Sequence, residues 1–97
     1  MRVVVEHEAE QEMLEAAGYY DAQVAGLGAD FLDEVEAASD IVGDDPLRFG
    51  YYDRPIRSIK LERFPYRLRF AVDAECVFSV AVMHLHRRPG YWKRRLS

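Results

Sequence analysis

The stretch Tyr-Arg-Leu-Arg-Phe-Ala-Val at residues 66–72 decides the fold class of this chain. Its apolar and basic side chains alternate with a period of two, which predicts a β-strand with one buried face and one open face. The apolar side chains that share the predicted buried face are Tyr66, Leu68, Phe70 and Val72. Arg67 and Arg69 lie on the opposite face, where charged side chains are stable only if they meet water or an anion.

Two further strands are predicted on either side of this one. Residues 56–61 alternate in the same way and place Ser58 and Lys60 away from the apolar face. Residues 77–83 are apolar on both faces, which is typical of a central strand. Residues 73–75, with Asp73 and Glu75 at their ends, predict a polar hairpin turn between the last two strands. The second half of the chain therefore predicts a run of three neighbouring strands.

The first half predicts two amphipathic helices. Residues 8–24 and 28–42 each carry one apolar stripe at helical spacing, and Gly26-Leu27-Gly28 breaks the chain between them. The stripe of the second helix consists of Leu27, Phe31, Val35, Ala38 and Ile41. Gly43 is placed as the C-terminal cap of this helix, and Pro46 prevents its continuation. We expect the two helices to form an antiparallel hairpin.

The order of these elements predicts the architecture. A short β-branched run at residues 2–5 precedes the helices, so the order is β-αα-βββ. Helices segregated from a run of strands predict an α+β fold, a single domain over residues 1–97 with the helical hairpin packed on one face of a mainly antiparallel sheet. The side chains expected in the core are Phe31, Val35, Leu68, Phe70, Val80 and Val82. The other face is expected to be uncovered and to hold Lys60, Arg67 and Arg69.

Charge is distributed very unevenly along the chain. Residues 1–53 contain 14 acidic and 2 basic side chains, a net charge of −12, whereas residues 54–97 contain 11 basic and 3 acidic ones, a net charge of +8. This asymmetry indicates a basic surface in the second half that can attract nucleic acid or an acidic partner. The alternative is that the two halves neutralise each other across the folded domain.

Composition excludes several other classes of protein. The single cysteine, Cys76, cannot form a disulfide within the chain, and its apolar neighbours predict a small buried side chain in a reducing compartment. The longest apolar stretch, residues 77–83, is too short to cross a bilayer, so we expect a cytoplasmic protein without a membrane partner. The histidines and acidic residues lack the spacing of zinc or calcium ligands, and we expect no metal or cofactor.

Several segments, in order, resemble toxins of the RelE/ParE superfamily from about Val3 to Trp92. These are Glu-Ala-Ala-Gly-Tyr-Tyr at 15–20, Gly-Leu-Gly-Ala-Asp-Phe at 26–31, Arg57, Phe-Pro-Tyr-Arg-Leu at 64–68, Val-Met-His at 82–84 and Arg-Arg-Pro-Gly-Tyr-Trp at 87–92. The bend at 64–66 and the tail are most similar to the ParE-like, plasmid-stabilisation branch. The resemblance implies a βααβββ toxin that arrests growth until a cognate antitoxin, encoded beside it, silences it.

The superfamily has two kinds of target, and the resemblance leaves both open. ParE-like members bind DNA gyrase and trap it on cleaved DNA without catalysis, which is our favoured interpretation. RelE-like members are metal-independent endoribonucleases that cut messenger RNA on the ribosome. Their pattern would place catalytic residues at Lys60, Arg67, Arg87 (or Arg88) and Tyr91, but a further lysine of that pattern falls on Ser58. A third possibility is a decayed toxin that retains only antitoxin binding.

The resemblance and the charge pattern together give a set of candidate target-binding residues. The set consists of Arg57, Lys60, Arg67, Arg69, Arg87, Arg88, Tyr91 and Trp92. The mixture of cations and aromatic rings in residues 87–95 suits contacts with phosphates and bases. It suits equally well a terminal extension whose aromatic rings fold back on the sheet. For the strand arginines, the alternative is a solvated face paired with Glu62 or Asp73.

Overall fold

The computed structural model describes residues 1–88 and 90–96 of the chain. Its helices are α1 (His7–Gln23) and α2 (Leu27–Asp44), and its strands are β1 (Arg2–Val5), β2 (Tyr51–Asp53), β3 (Ile56–Lys60), β4 (Tyr66–Val72) and β5 (Cys76–His84). Single 3₁₀ turns follow α2 at Pro46–Arg48 and close the described chain at Lys93–Leu96. The predicted helices and strands are all present, with ends that differ by one or two residues.

The strands form one sheet in the order β1-β5-β4-β3-β2. Strand β1 runs parallel to β5, and the other neighbouring strands are antiparallel. The helical hairpin packs on one face, so the predicted α+β fold is confirmed. Strand β2, at the edge of the sheet, was not predicted from the sequence. Its three residues are all exposed and show no alternation, so only its pairing with β3 identifies it as a strand.

The side chains that the sequence predicted for the core are all buried. At most 5% of Phe31, Val35, Leu68, Phe70, Val80 and Val82 is exposed. All of them except Val80 pack between the helices and the sheet. Phe31 of α2 meets Phe64 edge to face, with ring centroids 5.2 Å apart. This is a favourable geometry for aromatic rings, and it joins the helices to the bend before β4. Cys76 is also buried, as predicted.

The end of α2 differs from the prediction. Ile41 is 43% exposed, and Val42 is buried instead beside Phe70. The spacing explains the difference, because Val42 lies eleven residues, or about three turns, after Phe31 and so falls on the same side of the helix. Gly43 was predicted to lie beyond the helix but belongs to it. A Cβ atom at this position would lie 2.9 Å from the carbonyl oxygen of Met1, so the glycine permits the N-terminus to approach closely.

A β-bulge divides strand β5 into two parts. Arg69 pairs with Ala81 and Phe70 pairs with Ser79, so Val80 is an extra residue between these pairs. The sequence placed Val80 and Val82 on one face because they are two residues apart. The bulge changes this parity. Val82 packs in the cluster under the helices, whereas Val80 packs in a second cluster with Trp92.

The face of the sheet away from the helices is covered in part by the C-terminal segment. Trp92 is 1% exposed and packs with Ile56, Ala81 and Met83, each buried to at least 96%. The expectation of an uncovered face is therefore wrong. The physical reason is that β5 is apolar on this side too, and the indole covers it.

Replacement of Phe70 by alanine tests the assignment of the buried face. Phe70 is 1% exposed, so the Phe70→Ala variant should lose about 3–5 kcal/mol of unfolding free energy in urea denaturation. Leu14→Ala is the control, because Leu14 is 49% exposed and its loss should change stability by about 0.5 kcal/mol or less. A loss below about 1 kcal/mol for Phe70→Ala would contradict the assignment.

Two glycines in the helical hairpin should respond in opposite directions to alanine. A Cβ atom on Gly28 would lie 2.4 Å from the carbonyl oxygen of Ala17, so Gly28→Ala should push the helices apart and cost roughly 1–3 kcal/mol. Gly18 lies inside α1 with open space around it, so Gly18→Ala should stabilise the fold by roughly 0.5–1 kcal/mol. Thermal unfolding of both variants checks the pair, and equal shifts would refute the packing described.

Candidate functional site

Two arginines and a serine form a compact cluster on strands β3 and β4. Ser58 lies directly opposite Arg69 in the antiparallel register, and Lys60 lies opposite Arg67. The Ser58 hydroxyl oxygen accepts hydrogen bonds from Nη1 of Arg67, at 3.2 Å, and from Nη1 of Arg69. We refer to Arg67, Ser58 and Arg69 as the arginine cluster. It lies on the face away from the helices, as the alternation of β4 predicted.

Arg69 is buried within this cluster. Only 4% of the residue is exposed, and its Cζ atom lies 3.5 Å from the centre of the Tyr52 ring. Burial lowers the pKa of Arg69, and the neighbouring charge of Arg67 adds to this effect. The expectation that Arg69 lies outside the core is wrong, because edge strand β2 supplies a tyrosine that covers it. A target can reach this guanidinium only if Tyr52 moves.

Lys60 and Arg57 have different surroundings. Lys60 is exposed, and its Nζ donates a hydrogen bond to the carbonyl oxygen of Leu61. Arg57 lies on the opposite face of β3, where its Nη1 donates to the carbonyl oxygens of Leu47 and Phe49. These bonds connect β3 to the segment that follows α2. The structure therefore does not bring Arg57 into the arginine cluster.

The C-terminal segment is attached to the domain by several contacts. Trp92 is buried, and Nζ of Lys93 lies 2.6 Å from a carboxylate oxygen of Asp53. For Trp92, the structure thus favours the fold-back alternative over direct contact with a target. Arg87 and Arg88 are exposed, and the Cζ atom of Arg87 lies 4.0 Å from the centre of the Tyr91 ring. Pro89, which belongs to the predicted tail motif, lies outside the described residues.

Glu12 of α1 joins this segment to the sheet. One carboxylate oxygen accepts hydrogen bonds from the guanidinium of Arg95, at 2.8 Å, and from the backbone N–H of Val82, at 3.2 Å. The other oxygen accepts the hydroxyl hydrogen of Tyr91. Burial raises the pKa of Tyr91, and the hydrogen bond and charge of Glu12 raise it further. Arg95 also donates to the carbonyl oxygen of Val80 at the bulge, at 3.1 Å.

The sequence prediction missed the role of Glu12. From the sequence alone, Glu12 is one of several acidic residues in the first turns of a helix, where the helix dipole favours negative charge. A signal was available, because Glu12 lies between Ala9 and Ala16, which are both buried. A carboxylate on the buried stripe of a helix requires partners, since an unpaired buried charge is costly.

The residues of the RelE-like catalytic pattern fall into two groups. Lys60 and Arg67 lie side by side on β3 and β4. Arg87 and Tyr91 line an open cleft of about 190 Å³ at the end of β5, together with Glu12. The Tyr91 hydroxyl is bound to Glu12, and Arg67 is bound to Ser58. The arrangement thus provides cations for binding, while the candidate proton-transfer group is engaged elsewhere.

Comparisons with known proteins identify a solved structure with the same fold. No protein-family model matches the chain, and no curated protein matches it in sequence. The architecture is that of a helical hairpin on a mainly antiparallel sheet with a parallel first strand. Among solved structures, it is similar to a chain of the chromosomal ParDE toxin–antitoxin (TA) system from P. aeruginosa, with a TM-score of 0.78 and 11% sequence identity. The alignment covers 87% of this chain and 95% of that chain.

This likeness establishes the fold. It confirms at that level the resemblance to ParE-like toxins, because the solved chain belongs to a ParDE system. Among the described residues, neither helix has the length and apolar character needed to span a bilayer. In the same part of the chain, no group of three histidine, cysteine or acidic side chains is arranged to hold a metal ion.

Replacement of Glu12 tests whether this carboxylate holds the C-terminal segment in place. Glu12→Gln removes the charge that pairs with Arg95 and should reduce the unfolding free energy by roughly 1.5–3 kcal/mol. Trp92 is the single tryptophan and is 1% exposed. Release of the segment should therefore shift the Trp92 emission to the red and expose the indole to quenching by acrylamide. Glu10→Gln is the matched control on an exposed position of α1. Unchanged emission in Glu12→Gln would show that other contacts hold the segment.

Proposed function

We propose that this chain is the toxin of a type II toxin–antitoxin pair, that it acts by binding and poisoning DNA gyrase, and that a cognate antitoxin neutralises it. The fold shared with a chain of a ParDE system supports the toxin assignment. The observation that carries the choice of target is Ser58, which accepts hydrogen bonds from both arginines at the position of a catalytic lysine in the RelE-like pattern.

The electrostatics of the cluster favour binding over catalysis. A nuclease must stabilise the charge that develops on the phosphate, and the loss of one preorganised donor commonly reduces the rate by about 10²–10³. Ser58 supplies no positive charge. Tyr91 is a poor proton donor, because its pKa is raised and its hydroxyl hydrogen is bound to Glu12. Cations that bind a target do not depend on such a proton donor.

The surface available to a target consists of the exposed and half-exposed members of the predicted set. Lys60, Arg87 and Arg88 are exposed, and Arg67 is partly exposed. Their charges lie on the sheet and the tail, whereas the acidic residues concentrate on the helices. A basic face of this kind accelerates association with an acidic partner, and single losses weaken binding in a graded way. Arg69 and Trp92 are buried and support this surface from within, whereas Arg57 lies on the other face of β3.

Ribosome-dependent cleavage of messenger RNA is the second candidate, and one observation favours it. Lys60 and Arg67 are direct cross-strand partners, so two cations of the RelE-like pattern lie next to each other. If this alternative is correct, Tyr91 must be released from Glu12 when the substrate binds. Change of shape on binding is common in regulatory interactions.

Parallel assays of the purified protein distinguish the two targets. We expect gyrase-dependent accumulation of cleaved plasmid DNA and no cleavage of messenger RNA on translating ribosomes. Arg67→Gln should weaken the gyrase effect by roughly a few-fold to 100-fold in the concentration required, because a partly buried charge is lost. Tyr91→Phe should act nearly as well as the unmodified protein, because the ring remains in place.

The control for this experiment is Arg63→Gln. Arg63 is exposed, its guanidinium lies 3.7 Å from Asp30 of α2, and it is not part of the proposed surface. Its replacement should leave the gyrase effect unchanged. Efficient messenger cleavage that disappears in both Arg67→Gln and Tyr91→Phe would overturn the gyrase proposal in favour of the nuclease.

A further inference from the structure

An open groove lies between helix α2 and the end of strand β3, on the helix side of the sheet. It has a volume of about 190 Å³. The residues that line it are Glu34, Ala37, Ala38, Ile41, Ile59, Lys60, Leu61 and Glu62. Ile41 is 43% exposed although it continues the apolar stripe of α2, and Ala37, one turn before it, is exposed as well. The fold therefore leaves apolar helix surface in water, which is unfavourable in proportion to its area.

A carboxylate oxygen beside this groove lacks a hydrogen-bond donor. Oε1 of Glu34 accepts a hydrogen bond from the backbone N–H of Arg63 at 2.8 Å, but Oε2 is buried without a partner among the described residues. Lys60 also lines the groove, but its ammonium donates to the carbonyl oxygen of Leu61 and joins none of the ion pairs in residues 1–88 and 90–96. Buried acceptors normally have a donor, so Glu34 indicates a donor supplied from outside the chain.

The segment that follows α2 presents the matching groups. Leu47, in the 3₁₀ turn, is 65% exposed. The next residue, Arg48, is exposed, and its Cζ atom lies 5.1 Å from the centre of the Phe49 ring. In the part of the chain that the structure describes, no ion pair includes Arg48. An exposed leucine followed by an arginine offers one apolar group for the groove and one cation for its carboxylate.

The groove and this segment are close along the sequence and suit a two-fold arrangement. In a symmetric dimer, each contact of residue i with residue j of the other copy occurs twice, so a single surface must carry both complementary groups. Glu34 lies seven residues before Ile41, and Arg48 lies seven residues after it. A two-fold axis beside Ile41 would place the basic end of this surface in one copy against the acidic end in the other.

We propose that two copies of this chain associate through this surface, with their α2 helices antiparallel. Leu47 of each copy enters the groove of the other, and Arg48 donates to Oε2 of Glu34 as a charge-assisted hydrogen bond. The association buries Ile41 and supplies the missing donor. It uses the helix side of the sheet, away from the arginine cluster. It does not rest on the proposed function, because two copies can associate whether or not gyrase is the target.

Sedimentation equilibrium of the full chain tests the association. As the protein concentration increases, the mass should rise from that of one chain to that of two. Ile41→Lys brings two ammonium groups together at the axis and should weaken association by roughly tenfold to 100-fold or more. Because Ile41 is 43% exposed, this variant should remain folded, which thermal unfolding verifies. Glu36→Lys is the matched control, since Glu36 is exposed on α2 outside the groove, and it should associate normally.

Exchange of charges tests the pairing of the two ends. In Arg48→Glu and in Glu34→Lys, like charges meet twice across the two-fold axis, so each variant alone should remain a single chain. In an equimolar mixture of the two variants, opposite charges meet at both positions. The mixture should therefore form dimers that neither variant forms alone. Circular dichroism verifies that both variants are folded, and Ile41→Lys tests the same interface if Glu34→Lys is not.

Isoleucine methyl signals locate the interface by nuclear magnetic resonance. The chain has three isoleucines: Ile41 and Ile59 line the groove, whereas Ile56 is buried with Trp92 on the other face of the sheet. Increasing concentration should shift the signals of Ile41 and Ile59 and leave that of Ile56 in place. The mass of one chain at every concentration, undiminished association of Ile41→Lys, a mixture of folded variants that stays monomeric, or a shift of Ile56 alone would overturn the proposal.

Discussion

Strand β5 is apolar on both faces, and the rest of the structure follows from the need to cover both of them. The helical hairpin covers Val82 and Val77, and the C-terminal segment places Trp92 over Ala81 and Met83. The bulge at Val80 allows β5 to pack against the helices on one face and against the C-terminal segment on the other, because it changes which residues face the helices. A sheet with only one covered face would leave an apolar surface in water, at a cost proportional to its area.

Glu12 connects these two layers. Its side chain extends from α1 to β5 and accepts a hydrogen bond from the backbone N–H of Val82, beyond the end of β1. The same carboxylate accepts hydrogen bonds from Tyr91 and Arg95 of the C-terminal segment. The Arg95 and Glu12 side chains are 17% and 13% exposed, so this ion pair is less screened than one on the surface. Such a pair does little for stability relative to apolar packing, but removal of one partner is costly. The segment is therefore held in one defined position against the sheet.

The covered face has electrostatic consequences for function. A strand with two arginines would ordinarily face water, yet Tyr52 and the C-terminal segment bury one of them beside the other. Ser58 relieves the repulsion only in part, because a hydroxyl carries no charge. The same feature supports the proposed function, because it disfavours the RelE-like catalytic arrangement.

The sequence by itself determined both helices, four of the five strands, their order and most of the side chains under the helices, because the helical and strand periods are properties of neighbouring residues. The alternation of residues 66–72 placed Leu68 and Phe70 in the core, and this prediction is confirmed. The basic residues of the candidate surface were also visible in the sequence. Only the tertiary structure decided that Trp92 is buried, that Arg69 lies beneath Tyr52 and that Glu12 is a partner of the tail. The physical reason is separation along the chain. The hydrogen bonds of Glu12 to Tyr91 and Arg95 span 79 and 83 residues, and the periodicity of neighbouring residues cannot predict contacts at that separation.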